Sequence, residues 1–356
     1  MRETGENVYG SELVVNPHID KLEAVLETLL DAWDKKAFPY NLEAANLPQH
    51  ESNMPPELPR GGVEHANFLF SSCYYMRGGI KSTRAFKSLS NLYEADPVLF
   101  NPEQAARSTP EYIAEELQKV GLGFSKDIIS RQWIKNSQRL VDRYDGDPRK
   151  IFDGATDYEE LLLRIRNDGR GSGFAGFQEK MTSMLAYYLM EADLVPYFDF
   201  PLPVDLHVMR VSAATEIITF ENLPDDGNIY HKNTLATLRK LYQDYSIKHG
   251  VSQLEVCNAV WALSSAICGT QPGNIMQEPN RRKGREGRNT ELIPLKIDVN
   301  DFAQAALYER SCARCPIDDD CKYNFPAKNY YVKGKLVGSE RVKFPQQGLF
   351  DIKELL

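Results

Sequence analysis

Apolar side chains recur along most of this chain at the spacing of an α-helix. Leu22, Val25, Leu26, Leu29, Leu30 and Trp33 follow the i, i+3, i+4, i+7 pattern and predict one amphipathic helix near the N-terminus. The same period predicts helices near residues 64–77, 82–94, 109–120, 125–144, 157–168, 177–192, 204–216, 232–248, 252–267 and 300–310. Thr109-Pro110 and Ser125-Lys126 read as helix starts with a side-chain cap, the first with Pro at the opening helical position. Pro48, Pro55, Pro56 and Pro59, ahead of Gly61-Gly62, read as a linker between the N-terminal helix and the main body. No strand is expected before the tail, where Tyr330–Val337 predicts a short hairpin centred on Lys333-Gly334. There are no internal repeats. The fold class expected from this pattern is all-α.

Composition narrows the class. At 356 residues the chain can form one large domain or two smaller ones. Hydrophobic residues make up 42% and charged residues 26%, the balance of a soluble globular protein. The net charge of −8 argues against a broad nucleic-acid coat but leaves room for a local basic face. No stretch is apolar enough to predict a membrane span. The N-terminus shows no apolar core behind basic residues, so no signal peptide is expected, and reducing cytoplasm is the expected compartment.

Cysteine placement points to specific chemistry. Cys312, Cys315 and Cys321, three of the 6 cysteines, are spaced C-x2-C-x5-C. The short gaps let three thiolates turn toward one centre, and an all-thiolate site suits an iron–sulfur cluster or zinc. Zinc ribbons usually bring two C-x2-C pairs, and only one is present. A fourth ligand has to come from Cys268, Cys257 or Cys73, since no His lies near the triplet.

Two further segments carry candidate chemistry. Gly173-Phe174-Ala175-Gly176-Phe177-Gln178-Glu179-Lys180 places a glycine turn ahead of an apolar helix, whose N-terminus suits a phosphate. Pro203-Val204-Asp205-Leu206-His207-Val208-Met209-Arg210-Val211 puts an acid at the start of the next helix. Alone, Lys180 would read as a surface lysine and Asp205 as a helix cap.

In this order the segments resemble the helix-hairpin-helix DNA glycosylases of the endonuclease III superfamily. Gly176-Phe177-Gln178-Glu179-Lys180 is similar to the family's G-V-G-x-K hairpin, and Val204–Val211 to its V-D-T-H-V-x-R-V segment. The cysteine triplet resembles the last three ligands of its cluster loop. Val120-Gly121-Leu122-Gly123-Phe124-Ser125-Lys126 looks like its I-G-L-Y-x-x-K turn. The likeness spans roughly residues 64–325.

The resemblance implies a two-lobed helical fold with DNA between the lobes, Lys180 and Asp205 facing each other, and a flipped base. It implies residues 1–62 as an N-terminal helix and linker packing on the cluster lobe, and 63–202 as a six-helix barrel lobe with the hairpin. Residues 203–325 become the cluster lobe with a basic insertion over 269–311, and 326–356 a C-terminal extension. It implies base release from double-stranded DNA by a monomer, with Lys180 as the amine of a Schiff base and lyase step and Asp205 as the charge-stabilising carboxylate. It implies a [4Fe–4S] cluster on Cys268, Cys312, Cys315 and Cys321. Gly176 and Gln178 take the phosphate contact, and Tyr74 and Tyr75 either stack on the flipped base or fill the core. His207 and Arg210 are expected to be structural.

The departures open alternatives. Gln178 stands where the family has its second glycine, and Gln tolerates positive φ poorly, so an altered turn is expected. Residues 191–203, rich in Pro and aromatics, are extra. Cys268 as fourth ligand requires a long insertion, and mid-helix Cys257 is the runner-up, otherwise a buried apolar cysteine. That insertion carries Arg281, Arg282, Lys283 and Arg285, read as a phosphate-binding arm or a solvated loop. Rival functions on the same fold are a base-hypermodifying or modified-nucleoside enzyme and a non-catalytic DNA-structure-binding protein.

Overall fold

The computed structural model describes residues 13–76, 80–167, 173–222, 229, 231–268, 314–321, 330–332 and 335–338. In chain order the elements are β1 (Val14–Pro17), α1 (Ile19–Asp34), α2 (Val63–Ser72), α3 (Ser82–Ala95), α4 (Pro102–Ala105), α5 (Pro110–Lys119) and α6 (Lys126–Tyr144). These are followed by α7 (Tyr158–Ile165), α8 (Glu179–Glu191), α9 (Leu206–Ala214), β2 (Ile218–Glu221), α10 (Lys232–His249), α11 (Gln253–Ala266), β3 (Tyr330–Val332) and β4 (Lys335–Gly338). The fold is therefore mostly helical, and the periodic segments become helices within a few residues of their expected bounds. The helix expected near 300–310 lies outside the described residues.

Local chemistry sets the helix ends. Thr109 accepts the Tyr112 N–H at 3.3 Å and Pro110 opens α5, as expected. Ser125 departs from expectation. It starts α6 from a left-handed conformation, φ 55°, and its side chain caps nothing. The helix expected over 157–168 stops at Ile165, because Arg166 turns extended at ψ 130°.

The expectation of no strands before the tail is corrected. β1 and β2 pair antiparallel, with Val14 opposite Glu221 and Pro17 opposite Ile218. Two four-residue strands so far apart in sequence leave no alternation long enough to detect. β3 and β4 form the expected antiparallel tail hairpin. Among the described residues no helix is long and apolar enough to cross a membrane.

The chain divides into two compact units. One comprises residues 1–45, 204–251 and 255–356. In it α1 buries Leu22, Val25, Leu26 and Leu29, and α9 and α11 bury their small and apolar faces. The other comprises residues 46–203 and 252–254. Its core is an aromatic cluster of Phe68, Phe70, Tyr74, Phe86, Phe100, Trp133, Phe174 and Phe177 in ring contact. The Trp133 indole N–H donates to Leu99 O at 2.9 Å, so the largest buried side chain also satisfies its polar end.

His65 lies in α2, 9% exposed, with Nδ1 accepting the Gly61 N–H at 3.4 Å. Burial, with the Arg60 charge beside it, holds the imidazole down at about 4. An unfolded histidine titrates near ~6.5, so between these values the unfolded chain binds the extra proton. This stabilisation is complete above about pH 6.5 and is lost as pH falls toward 4. The midpoint of thermal unfolding is expected to drop across that window, and His65→Gln to flatten the drop.

Candidate active site and thiol cluster

The glycine turn ahead of α8 is a four-residue turn, with Phe177 N–H donating to Phe174 O at 3.0 Å. Gly176 sits third in it at φ 80°, the angle a type II turn demands and side chains resist. Gly173 is required for another reason. A Cβ there would lie 1.9 Å from Arg166 O, so only a bare backbone can pass the end of α7. The Phe174 N–H donates to Ile165 O and the Asn167 N–H to Phe177 O, each at 2.9 Å. Phe174 and Phe177, both fully buried, plug the aromatic core on either side of Ala175-Gly176.

Gln178, expected to distort the turn, does not need positive φ. Its backbone is extended at φ −128° as the residue before α8, so the loss of a glycine costs nothing there. The Gln178 side chain is exposed and donates from Nε2 to Asn167 O at 3.0 Å.

Lys180 follows in the first turn of α8, half-buried, with Nζ donating to Met76 O at 2.9 Å. Met76 closes the short helical turn that carries Tyr74 and Tyr75. Both tyrosines are 2% exposed. Tyr74 stacks on Trp133 with ring centroids 5.2 Å apart and accepts from Asn136 Nδ2 at 3.1 Å. The Tyr75 hydroxyl donates to Leu122 O at 3.2 Å, and burial pushes its phenol up. Of the two roles open to them, these are the contacts of core residues.

In the other unit, Asp205 is the N-cap of α9. Its Oδ1 accepts the His207 and Val208 N–H groups at 2.8 and 3.2 Å. The carboxylate thus fills two of the donors a helix start leaves open and sits at the positive end of the dipole. His207 Nδ1 is 3.0 Å from Ser264 Oγ, and Arg210 Nη1 donates to the same oxygen at 3.3 Å. Both residues tie α9 to α11, the structural role expected of them.

The cysteines separate into two neighbourhoods. Cys268, Cys315 and Cys321 are 7%, 7% and 9% exposed, and none is in a disulfide. The Asp318 N–H donates to Cys315 O and the Cys321 N–H to Ile317 O, folding that segment into a tight turn. The Tyr40 phenol is pushed up by burial and then by the Cys315 and Cys268 thiols, so both sulfurs lie in its surroundings. Tyr40 itself donates to Ala259 O at 3.0 Å, and the Arg314 guanidinium lies over Phe38, 4.2 Å from the ring centre. Cys257 sits elsewhere. Burial and then the Asp205 charge push its thiol up, and it bears on Tyr242.

Soft, buried thiols fit an iron–sulfur group in donor type. Among the described residues no three His, Cys, Asp or Glu side chains close on one point. Cys312 lies outside the described residues, as do Arg281, Arg282, Lys283 and Arg285.

One residue of the hairpin's setting escaped the sequence reading. Asn136, fully buried in α6, holds Ala175 by both ends of its amide. A polar residue on the helix face shared by Trp133 and Leu140 was the available signal.

No family model and no curated protein matches the sequence. Among solved structures, a thermostable thymine-DNA glycosylase is similar at 14% identity and a TM-score of 0.43, over 71% of this chain and 90% of that one. Both values are too low for the similarity to bear on the fold or chemistry of this chain.

The cap role of Asp205 is separable from its charge. Asn caps helices as well as Asp does, whereas Ala loses about 1 kcal/mol. Denaturant unfolding is expected to place Asp205→Asn near the parent protein and Asp205→Ala about 1 kcal/mol below it.

Proposed function

We propose that the protein is a DNA glycosylase that cleaves an N-glycosidic bond and then acts as a lyase through Lys180. The observation that carries the reading is the tight Phe174–Phe177 turn opening onto α8, with an amine one residue inside the helix. It is supported by the carboxylate at the start of α9 and by the order of the segments that resemble the helix-hairpin-helix family.

The chemistry asks for these groups. As the base departs, positive charge grows on the sugar, and the Asp205 carboxylate stabilises it. The Lys180 amine, after losing a proton, forms a bond to C1′ while the C1′–N bond breaks and the base leaves with that electron pair. A neutral amine keeps two N–H groups, so it can still donate to Met76 O while its lone pair attacks. The ring then opens: the C1′–O4′ bond breaks, O4′ takes up a proton and the nitrogen lone pair forms the C1′=N bond of a Schiff base, which acidifies C2′, so that loss of a C2′ proton expels the 3′ phosphate with the C3′–O electron pair.

Cys268, Cys312, Cys315 and Cys321 are the ligands of a [4Fe–4S] cluster in this reading. Bound there, it would supply iron–thiolate cross-links between the end of α11 and the Cys315–Cys321 turn. The common neighbour of Cys268 and Cys315, set against the separate surroundings of Cys257, favours Cys268 as the fourth ligand. DNA is the partner, with a flipped base as the reacting unit.

Two tests follow from these assignments. Borohydride is expected to trap a covalent adduct on cleavable DNA with the parent protein and none with Lys180→Ala. A Lys180→Ala protein with full lyase activity and adduct would remove Lys180 from the mechanism. Anaerobically purified Cys268→Ala is expected to lose the cluster's visible absorbance and Cys257→Ala to keep it. The reverse pattern assigns the fourth ligand to Cys257.

A further inference from the structure

A side chain from outside the turn holds the central peptide of Phe174–Phe177 in one orientation. Type I and type II turns share their outer hydrogen bond and differ by a half-rotation of that peptide. In the type I form the third residue sits near φ ≈ −90°, whereas Gly176 is at 80°. The carbonyl that would rotate is that of Ala175, and Asn136 grips it. Asn136 Oδ1 accepts the Ala175 N–H at 2.6 Å, and its Nδ2 donates to Ala175 O at 3.1 Å. The same Nδ2 donates to the Tyr74 hydroxyl at 3.1 Å.

Such a residue is costly unless it is bonded. A buried amide left unpaired is destabilising, and an apolar side chain would fill the space in α6 beside Trp133 without that risk. The bonds of Asn136 go to the turn and to Tyr74. They therefore choose between two turn forms that the turn's own outer hydrogen bond cannot distinguish.

The consequence lies on the other side of the peptide. In a trans peptide C=O and N–H point in opposite directions. With Ala175 O drawn toward Asn136, the Gly176 N–H is turned away from it. Gly176 is half-exposed, and among the described residues its N–H has no acceptor.

We propose that Asn136 is a positioning residue, which pins the Ala175 carbonyl so that the Gly176 N–H is aimed outward as a donor to a DNA phosphate. The inference rests on the DNA reading above and adds to it the residue that fixes the hairpin's donor.

Asn136→Asp tests it. Ionised, the aspartate keeps an acceptor for the Ala175 N–H but sets a second oxygen against Ala175 O, which drives the central peptide to rotate, so affinity is read at alkaline pH, where the carboxyl carries its charge. Tyr74→Phe is the control, because it removes the other partner of Nδ2 and leaves the grip on Ala175 intact. The probe is a short duplex carrying a tetrahydrofuran abasic analogue, with affinity measured at fixed salt and folding checked by circular dichroism. Asn136→Asp is expected to stay folded and bind about tenfold or more weakly, the loss of one hydrogen bond to a charged group. Tyr74→Phe is expected to bind as the parent does.

Equal affinity for folded Asn136→Asp and the parent overturns the proposal, as does an equal loss in Tyr74→Phe, which would make Asn136 a packing residue. Should Asn136→Asp not fold, Asn136→Ser replaces it, with the same expected loss. Amide hydrogen exchange separates this proposal from the reading it rests on. Exchange at Ala175 that is slow in the parent, in Asn136→Asp and in Tyr74→Phe, which keep the acceptor for its N–H, and fast in Asn136→Ser confirms the grip. A parent protein with a slow Ala175 amide and no duplex binding overturns the DNA reading itself, and with it the phosphate as the partner of Gly176.

Discussion

The hydrogen-bonded grip of Asn136 on Ala175 is the constraint from which the candidate hairpin is built. A turn of four residues has little stability of its own, since its single outer hydrogen bond is worth about 1 kcal/mol net. Here the turn is held from three sides. Phe174 and Phe177 plug the aromatic core, the end of α7 pairs with the turn backbone, and the Asn136 amide closes on its central residue. The helix that leaves this turn carries Lys180 within its first turn. The position of the amine is therefore set by core packing and backbone bonding rather than by a free loop. That is what a nucleophile requires, because misplacement by about 1 Å can cost on the order of 100-fold in rate.

Asp205 shows the same economy in the other unit. Its carboxylate is held by the two N–H groups it caps, so its rotamer is fixed by a bond that also starts α9. In the proposed reaction the helix cap and the charge-stabilising carboxylate are one side chain, so the two roles of Asp205 do not compete. α11 contributes to two places at once. Ser264 meets His207 and Arg210 of α9, while Ala259 receives the Tyr40 hydroxyl beside the Cys268 and Cys315 thiols.

Much of this was legible in the sequence because it is local. Helix positions follow from apolar periodicity, and the starts of α5 and α9 follow from Thr109-Pro110 and Asp205. The glycine turn was visible as a turn. The rest depended on contacts between distant residues. β1 and β2 pair across some two hundred positions, and neither is long enough to show an alternating pattern. Gln178 looked disruptive because its place in the motif suggested a left-handed residue, whereas Gly176 alone carries that angle. Tyr74 and Tyr75 had two open roles until the stacking on Trp133 and the bond to Leu122 put them in the core. Asn136 belonged to no motif, and only its three bonds identify it.

Scission of the bond between base and sugar is the chemical event on which the proposed function rests. The most direct measurement is mass spectrometry of duplexes carrying a panel of damaged, mismatched and modified bases after incubation with the protein. A free base in solution and a matching abasic site in the strand are expected for at least one member of the panel, both lost in Asp205→Asn. A base that gains mass while still joined to its sugar would contradict the proposed function in favour of a modifying enzyme, and DNA bound but left unaltered across the panel would contradict catalysis altogether.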